Sequence, residues 1–338
     1  MSDVILVQEA PSGFRARYGS FSRDLFGARE LVLIATIGVL CIIMFFVEPR
    51  FLSWDNIRVM LIGSAMEFVL VVAVVFLMVG RMFDLSVDGI INMVGVVAGL
   101  LIVGGVFWPI ACVAALLSGL LIGIINGLCT TKLRMNPLMT TLATWWIARG
   151  IAFGLTQGIS PNGFPEAFQF IGAGKIGETP IVYVYAFVSI VVGMLVLSLT
   201  KYGYNTFAVG GNRLASRLRG IPVDRVTIIA FLVVALAAGI TGLVYAARLN
   251  AATPQAAVNV NLRVIAAAVI GGCALAGGRG TVIGGVLGML FITLLLNATI
   301  VMGIDGVWQF TLLGAVILIA VGADALAARA RGQEEKET

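Results

Sequence analysis

Apolar runs long enough to cross a bilayer recur along the chain, separated by short stretches where charged residues, glycines and prolines collect. A helix needs roughly 20 residues to span about 30 Å of hydrocarbon. Such runs lie near residues 31–47, 59–80, 86–105, 107–130, 137–156, 180–199, 226–247, 263–276, 281–302 and 307–323. The pattern predicts an all-α, polytopic integral membrane protein with about ten transmembrane helices. The third run carries Gly89, Gly95, Gly99, Gly104 and Gly105, and the eighth is short. Both are therefore expected to be discontinuous, although glycines also serve simply to let membrane helices approach closely. Runs two to five and seven to ten each have such a second member, which permits an internal pseudo-repeat. The expected division is an amino-terminal cytoplasmic segment over 1–30, a membrane domain over 31–324 and a cytoplasmic tail over 325–338.

Between the sixth and seventh runs stands a basic island, residues 201–223. Asn212 is placed to cap a helix, Gly220 sits where a left-handed residue would end it, and Pro222 forbids continuation. A helix of about two turns follows, with Leu214 and Leu218 on one face, Arg213 and Arg217 on a neighbouring one, and Ala215 leaving room for close approach. So short a helix is marginal by itself, so the caps imply a surface to dock against, with a partner protein the natural candidate. The plainer reading is a solvated loop whose arginines only fix topology.

Composition narrows the class. Aliphatic and aromatic residues make up 60% of the 338 and charged residues 12%, with a mean hydropathy of +1.05, too little polar surface for a soluble globule. The formal charge of +5 comes from loop lysines and arginines, so it bears on orientation and does not suggest nucleic acid. With the amino terminus inside, the cytoplasmic set holds Arg15, Arg17, Arg23, Arg29, Arg81, Lys132, Arg134, Lys201, Arg213, Arg217, Arg219, Arg225, Arg279, Arg329, Arg331 and Lys336. The outer set holds only Arg50, Arg58, Lys175, Arg248 and Arg263. That asymmetry places both termini and the basic island in the cytoplasm, and the polar segment 157–179 outside as the largest external loop. No removable signal peptide is expected, and Cys41, Cys112, Cys129 and Cys273 read as small apolar residues without disulfide or zinc spacing.

Absences exclude much chemistry. There is no histidine, which removes histidine triads and most catalytic zinc sites. No phosphate-binding GxxxxGK[ST] loop occurs, so the chain is not expected to hydrolyse ATP, and Gly277-Gly-Arg-Gly280 reads as a tight turn. No catalytic residue, metal or cofactor is expected. What remains is ionisable groups within apolar runs: Glu67, Asp84, Asp88 and Arg149. Each must face protein or water, and each is a functional candidate by default. Asp84 serves equally as the cap of a helix beginning at Leu85, Glu67 and Arg149 could neutralise each other, and Asn126 and Asn297 either bridge helices or line a polar path.

Taken in order, the motifs resemble a known family. Phe83-Asp-Leu-Ser-Val87 follows a long apolar run; Ile125-Asn-Gly127, Asn136-Pro-Leu138, Thr141-Leu142 and Ala148-Arg-Gly150 come next. Then come Tyr202-Gly203, Val209-Gly-Gly-Asn212, Gly220-Ile-Pro-Val223, Ile265-Ala-Ala-Ala-Val-Ile-Gly-Gly272 and Gly277-Gly-Arg-Gly280. The order and spacing resemble the permease subunits of ATP-binding-cassette importers of the ribose and simple-sugar branch, which includes autoinducer-2 permeases, over nearly all of the chain after residue 30. The resemblance departs at Arg81, Met82 and Asp88, where the family carries glycines, and at Asn261 and Arg263, near an acidic position.

The resemblance implies a multi-pass protein of the bacterial inner membrane, the translocation subunit of an ATP-driven importer for a sugar or sugar-like solute. Its partners would be cytoplasmic ATPase subunits, a periplasmic or extracellular solute-binding protein, and a second permease copy or a paralogue, with ATP consumed by the ATPase. The 201–223 stretch is similar to the loop that docks into the ATPase, with Gly211, Asn212, Arg213, Leu214, Ala215, Arg217, Leu218 and Gly220 as docking residues. Glu67, Asp84, Ser86 and Asn126 are the candidates for the path. The alternative is an ion-coupled secondary transporter of a small polar solute, with Glu67 or Asp84 carrying the proton. A membrane scaffold or receptor without flux is the third class.

Overall fold

A computed structural model describes residues 28–319 and 322. The expected cytoplasmic segments at either end, and the close of the tenth run, lie almost entirely outside the described residues. The helices are α1 (Ala28–Val47), α2 (Trp54–Val79), α3 (Val87–Val103), α4 (Trp108–Thr131), α5 (Pro137–Thr156), α6 (Glu166–Ala173) and α7 (Ile181–Leu199). They continue with α8 (Lys201–Gly211), α9 (Arg213–Leu218), α10 (Val223–Leu249), α11 (Val260–Ile270), α12 (Val282–Val301) and α13 (Val307–Ile319). Their starts follow local chemistry: Ser53, Asn136, Thr200 and Thr281 accept amide hydrogens from the first turns of α2, α5, α8 and α12, and Pro137 takes the first position of α5.

Among the described residues six helices are long and apolar enough to cross a membrane, namely α1, α2, α4, α7, α10 and α12. The count of about ten is thus met only in part. α5 has the length but is more polar, carrying Arg149 and four buried threonines, while α3, α11 and α13 are shorter. The third run is continuous from Val87 to Val103. Its glycines do not break it; they let α3 meet α10, where a side chain at Gly242 would strike the Ile91 carbonyl. The eighth run is helical only over Val260–Ile270, because Gly271, Gly272, Gly277, Gly278 and Gly280 then form a loop in which four take positive φ.

α2 and α10 form the middle of the bundle and are buried almost all round, whereas α1 and α7 bury only one side. α3, α4, α11 and α12 pack around them, and α5 packs outside, against α3 and α4. The segment 157–179 is more ordered than an external loop. It contains α6 and leads into an antiparallel hairpin of β1 (Lys175–Ile176) and β2 (Thr179–Pro180), with Lys175 opposite Pro180. α6 buries Phe168, stacked edge-on with buried Phe164, and leans on the carboxyl-terminal end of α10, where Gly172 touches Val244 and Arg248. α9 lies at the other end. With 27 residues rising 1.5 Å each, α10 separates these two polar connectors by about 40 Å.

Candidate functional site

The basic island folds as two helices meeting at Asn212. The Asn212 side chain accepts the Ala215 amide hydrogen at 3.0 Å, and Gly220 takes φ +77° beyond the last turn of α9. Two polar ties fasten α9 to the bundle. Arg213 donates to Thr227 Oγ1 at 3.0 Å and Arg217 reaches Asp224 of α10 at 3.2 Å, a carboxylate that Lys132 at the end of α4 also holds, at 2.9 Å. Burial pushes the Arg213 guanidinium below its ordinary range, with Arg217 adding to the shift, Asp224 opposing it and Arg81 adding a little more. Ser216 is buried beneath the helix, and Ala215 is half-buried. Leu214 and Leu218 point the other way, 70% and 82% exposed. Of the eight sequence-derived docking residues, Arg213 therefore faces the bundle, Gly211, Asn212, Arg217 and Gly220 are exposed, and the two leucines form an apolar ridge. Just before Gly211, a side chain at Gly210 would collide with the Val79 carbonyl and the Gly278 amide, so α8, the end of α2 and the 271–280 loop meet backbone to backbone.

The four path candidates belong to buried polar clusters. Asp84 accepts from both the amide and the hydroxyl of Ser86, so it stabilises the approach to α3, which begins at Val87 instead of Leu85. Asn126 of α4 donates to Ser86 Oγ at 2.9 Å and accepts from Thr144 of α5 at 2.8 Å. Thr141 of α5 accepts the Leu85 amide, and Asn261 of α11 donates to the Leu85 carbonyl at 2.9 Å. Asp88 accepts from Asn92 and from the Asn259 amide, and Asn92 from the Ala257 amide, so the descent into α11 is fixed from α3. Glu67 does not pair with Arg149; its partner is Arg263 of α11, which is accordingly inside the bundle and not in an outer loop. Asn297 bridges α12 to Asn56 of α2. Groups paired in this way are tolerated in a membrane interior and fix which helices sit together, although Asp84 Oδ2 and Arg263 Nε are left without a hydrogen-bond partner. Glu67, Asp84, Ser86 and Asn126 are all buried within one chain.

Thr144 and Asn92 join these clusters without having been singled out in the sequence, whereas Asn261 and Arg263 were noted there only as departures from the family pattern. The residue before them does carry a signal. Arg81 takes φ +62°, a backbone conformation that glycine adopts freely, at a position where the resemblance expects glycine.

Arg149, released from Glu67, sits between two rings. Its guanidinium carbon is 6.0 Å from the Trp146 ring centre and 5.9 Å from that of Phe153. A charge at mid-bilayer costs roughly 2.5–3.5 kcal/mol on insertion scales, so this side of α5 is poorly suited to lipid.

Residues 57–321 match the family described as branched-chain amino acid transport system / permease component. The chain belongs to this permease family. A ribose import permease from Bacillus subtilis is 33% identical over 84% of this chain and 88% of its own length. A probable ABC transporter permease from Sinorhizobium fredii is 32% identical over 95% and 96%. An autoinducer 2 import system permease from Photorhabdus luminescens is 28% identical over 85% and 87%. No solved structure matches the chain. For a permease of this family the two ends of α10 acquire a meaning: a multi-pass membrane protein presents one apolar ridge at α9 and a closed cap at α6.

Proposed function

We propose that the chain is the translocation subunit of an ATP-driven importer, carrying a sugar or sugar-like solute handed over by an external binding protein. The observation that carries this reading is the α9 ridge. Leu214 and Leu218 stand out from a helix whose caps and polar ties hold it rigidly, which is what a partner that pushes or pulls would need. Its partner is a cytoplasmic ATPase subunit, which binds and hydrolyses ATP, while this chain does no chemistry of its own. The names of the ribose and autoinducer 2 relatives support the solute class.

The same reading places the protein in a bacterial inner membrane with both termini in the cytoplasm, α9 inside and α6 outside. It counts ten embedded helices, with α3, α5, α11 and α13 joining the six long ones, and pairs the chain with a second copy or a paralogue. Movement of the docked α8–α9 unit would shift α2 and the 271–280 loop and so alternate access to the path. An ion-coupled mechanism has less support, since Glu67 is neutralised by Arg263 and Asp84 is enclosed by Ser86.

Uptake of labelled ribose into membrane vesicles assembled with the ATPase and binding protein tests the reading. Arg217→Glu and Leu218→Asp should each lower ATP-driven uptake at least tenfold while the protein stays in the membrane at its usual abundance. Uptake that matches the unmodified chain in both variants, or that persists without ATP and collapses with the proton gradient, would overturn it.

A further inference from the structure

The helical register of α5 divides its outward face into three stripes. Gly150 and Gly154, one turn apart, run down the middle with open space around both. Ile147, Ile151 and Leu155 lie exposed along one margin. Trp146, Arg149 and Phe153 lie along the other, Trp146 exposed and its two neighbours half-buried. The margins differ in chemistry as sharply as two sides of one helix can.

Among the described residues, Arg149 enters no ion pair and donates no hydrogen bond to protein. Asp88 is near enough for the two charges to be felt, but its oxygens are occupied by Asn92 and the Asn259 amide. Five N–H donors therefore remain unspoken for at the centre of a helix that the membrane must accommodate. Water or a polar visitor has to meet them. The two rings flank the guanidinium, so aromatic surface and a fork of donors stand side by side on this margin. That combination suits a solute carrying both C–H faces and hydroxyl oxygens: the ring stacks on the aromatic, and the hydroxyls accept from the guanidinium. In the buried clusters around Asp84 and Glu67 most donors and acceptors are spent on each other, with Asp84 Oδ2 and Arg263 Nε left over one at a time instead of as a fork.

We propose that Trp146, Arg149 and Phe153 form a contact station for a hydroxyl-rich solute on the wall of the translocation path. The inference rests on the transport reading above and deepens it, by running the path along this margin of α5 instead of through the interior of a single chain.

Two measurements test it. In the first, Arg149→Cys and Trp146→Cys are introduced singly and exposed in intact membranes to a charged, membrane-impermeant methanethiosulfonate. Labelling should exceed that of the parent chain at least fivefold at both positions, while Ile43→Cys on the exposed face of α1 stays at the parental level. Failure of both station cysteines to label, in protein present at parental abundance, overturns the placement whatever the solute. In the second, cells with the complete importer are given labelled ribose, xylose and galactose. Arg149→Leu and Trp146→Ala should raise KM or cut uptake at least tenfold, Arg149→Lys should retain more uptake than Arg149→Leu, and Ile147→Ala should change nothing. Uptake by both variants equal to that of the unmodified chain sinks the station and leaves the transport reading standing. An unmodified chain that moves none of the three sugars removes the neutral-sugar solute class, and the station's ligand with it.

Discussion

The two polar connectors that flank α7 are similar in length and opposite in construction. The one that holds α6 turns two of its three aromatic residues inward: Phe164 and Phe168 are buried while Phe170 stays exposed, and Gly172 brings the helix backbone against α10. The one that holds α9 turns its leucines outward and anchors itself by polar contacts instead, through Asn212, Arg213 and Arg217. Apolar burial closes a surface, whereas polar anchoring leaves apolar area free for something else to cover. Composition marks the α9 connector as basic, but which one leaves apolar area free is told only by the direction in which the large residues point.

That contrast can be broken in graded steps, followed by thermal unfolding in detergent. Phe168→Ala should be the most damaging, about 3–5 kcal/mol, since it empties a fully buried site at the α6 end; a loss below about 1 kcal/mol would mean that α6 is not an anchored cap. Gly172→Val comes next, at roughly 2–3 kcal/mol, because the added atoms meet the backbone of Val244 and Arg248, neither of which can yield. Asn212→Ala removes one cap and should cost about 1 kcal/mol, read as an earlier melting of the α8–α9 unit by hydrogen exchange. Smallest of all should be Leu214→Ser combined with Leu218→Ser, within about 0.5 kcal/mol of the parent despite removing two large side chains. A large loss in that double variant would show that the ridge is covered within the chain itself, and the comparison would fail.

What could be read from the sequence was local. Asn212, Gly220 and Pro222 announced α9 because caps and breakers act over three or four residues, and the apolar runs located all the long helices to within a few positions. Two helices escaped notice. α8 is rich in glycine and polar residues, and α6 hides in a polar stretch with only Phe168 and its neighbours to mark it. The pairing of Glu67 with Arg263 was beyond reach for another reason: 196 residues separate them, and nothing near either one favours that partner over Arg149. The same holds for Thr144, ordinary in isolation and distinguished only by the Asn126 amide that the fold sets in front of it, while Asn261 was flagged as a departure but not for its bond to the Leu85 carbonyl. Arg81 was flagged as a departure, but its left-handed backbone becomes meaningful only once the 277–278 turn is seen resting on it.

Where Gly210, Val79 and Gly278 meet there is no layer of side chains to cushion the joint, and the Gly278 amide donates to the Val79 carbonyl at 2.8 Å. A linkage of that kind has no backlash. Rotamer changes can absorb a small displacement between ordinary helices, but bare main chain cannot, so on the proposed reading a tug delivered at α9 would pass directly to the end of α2. Five residues further along the chain it reaches Asp84. Even an alanine at position 210 would force this joint apart, and on the proposed reading the motion passed on from α9 would be shortened there.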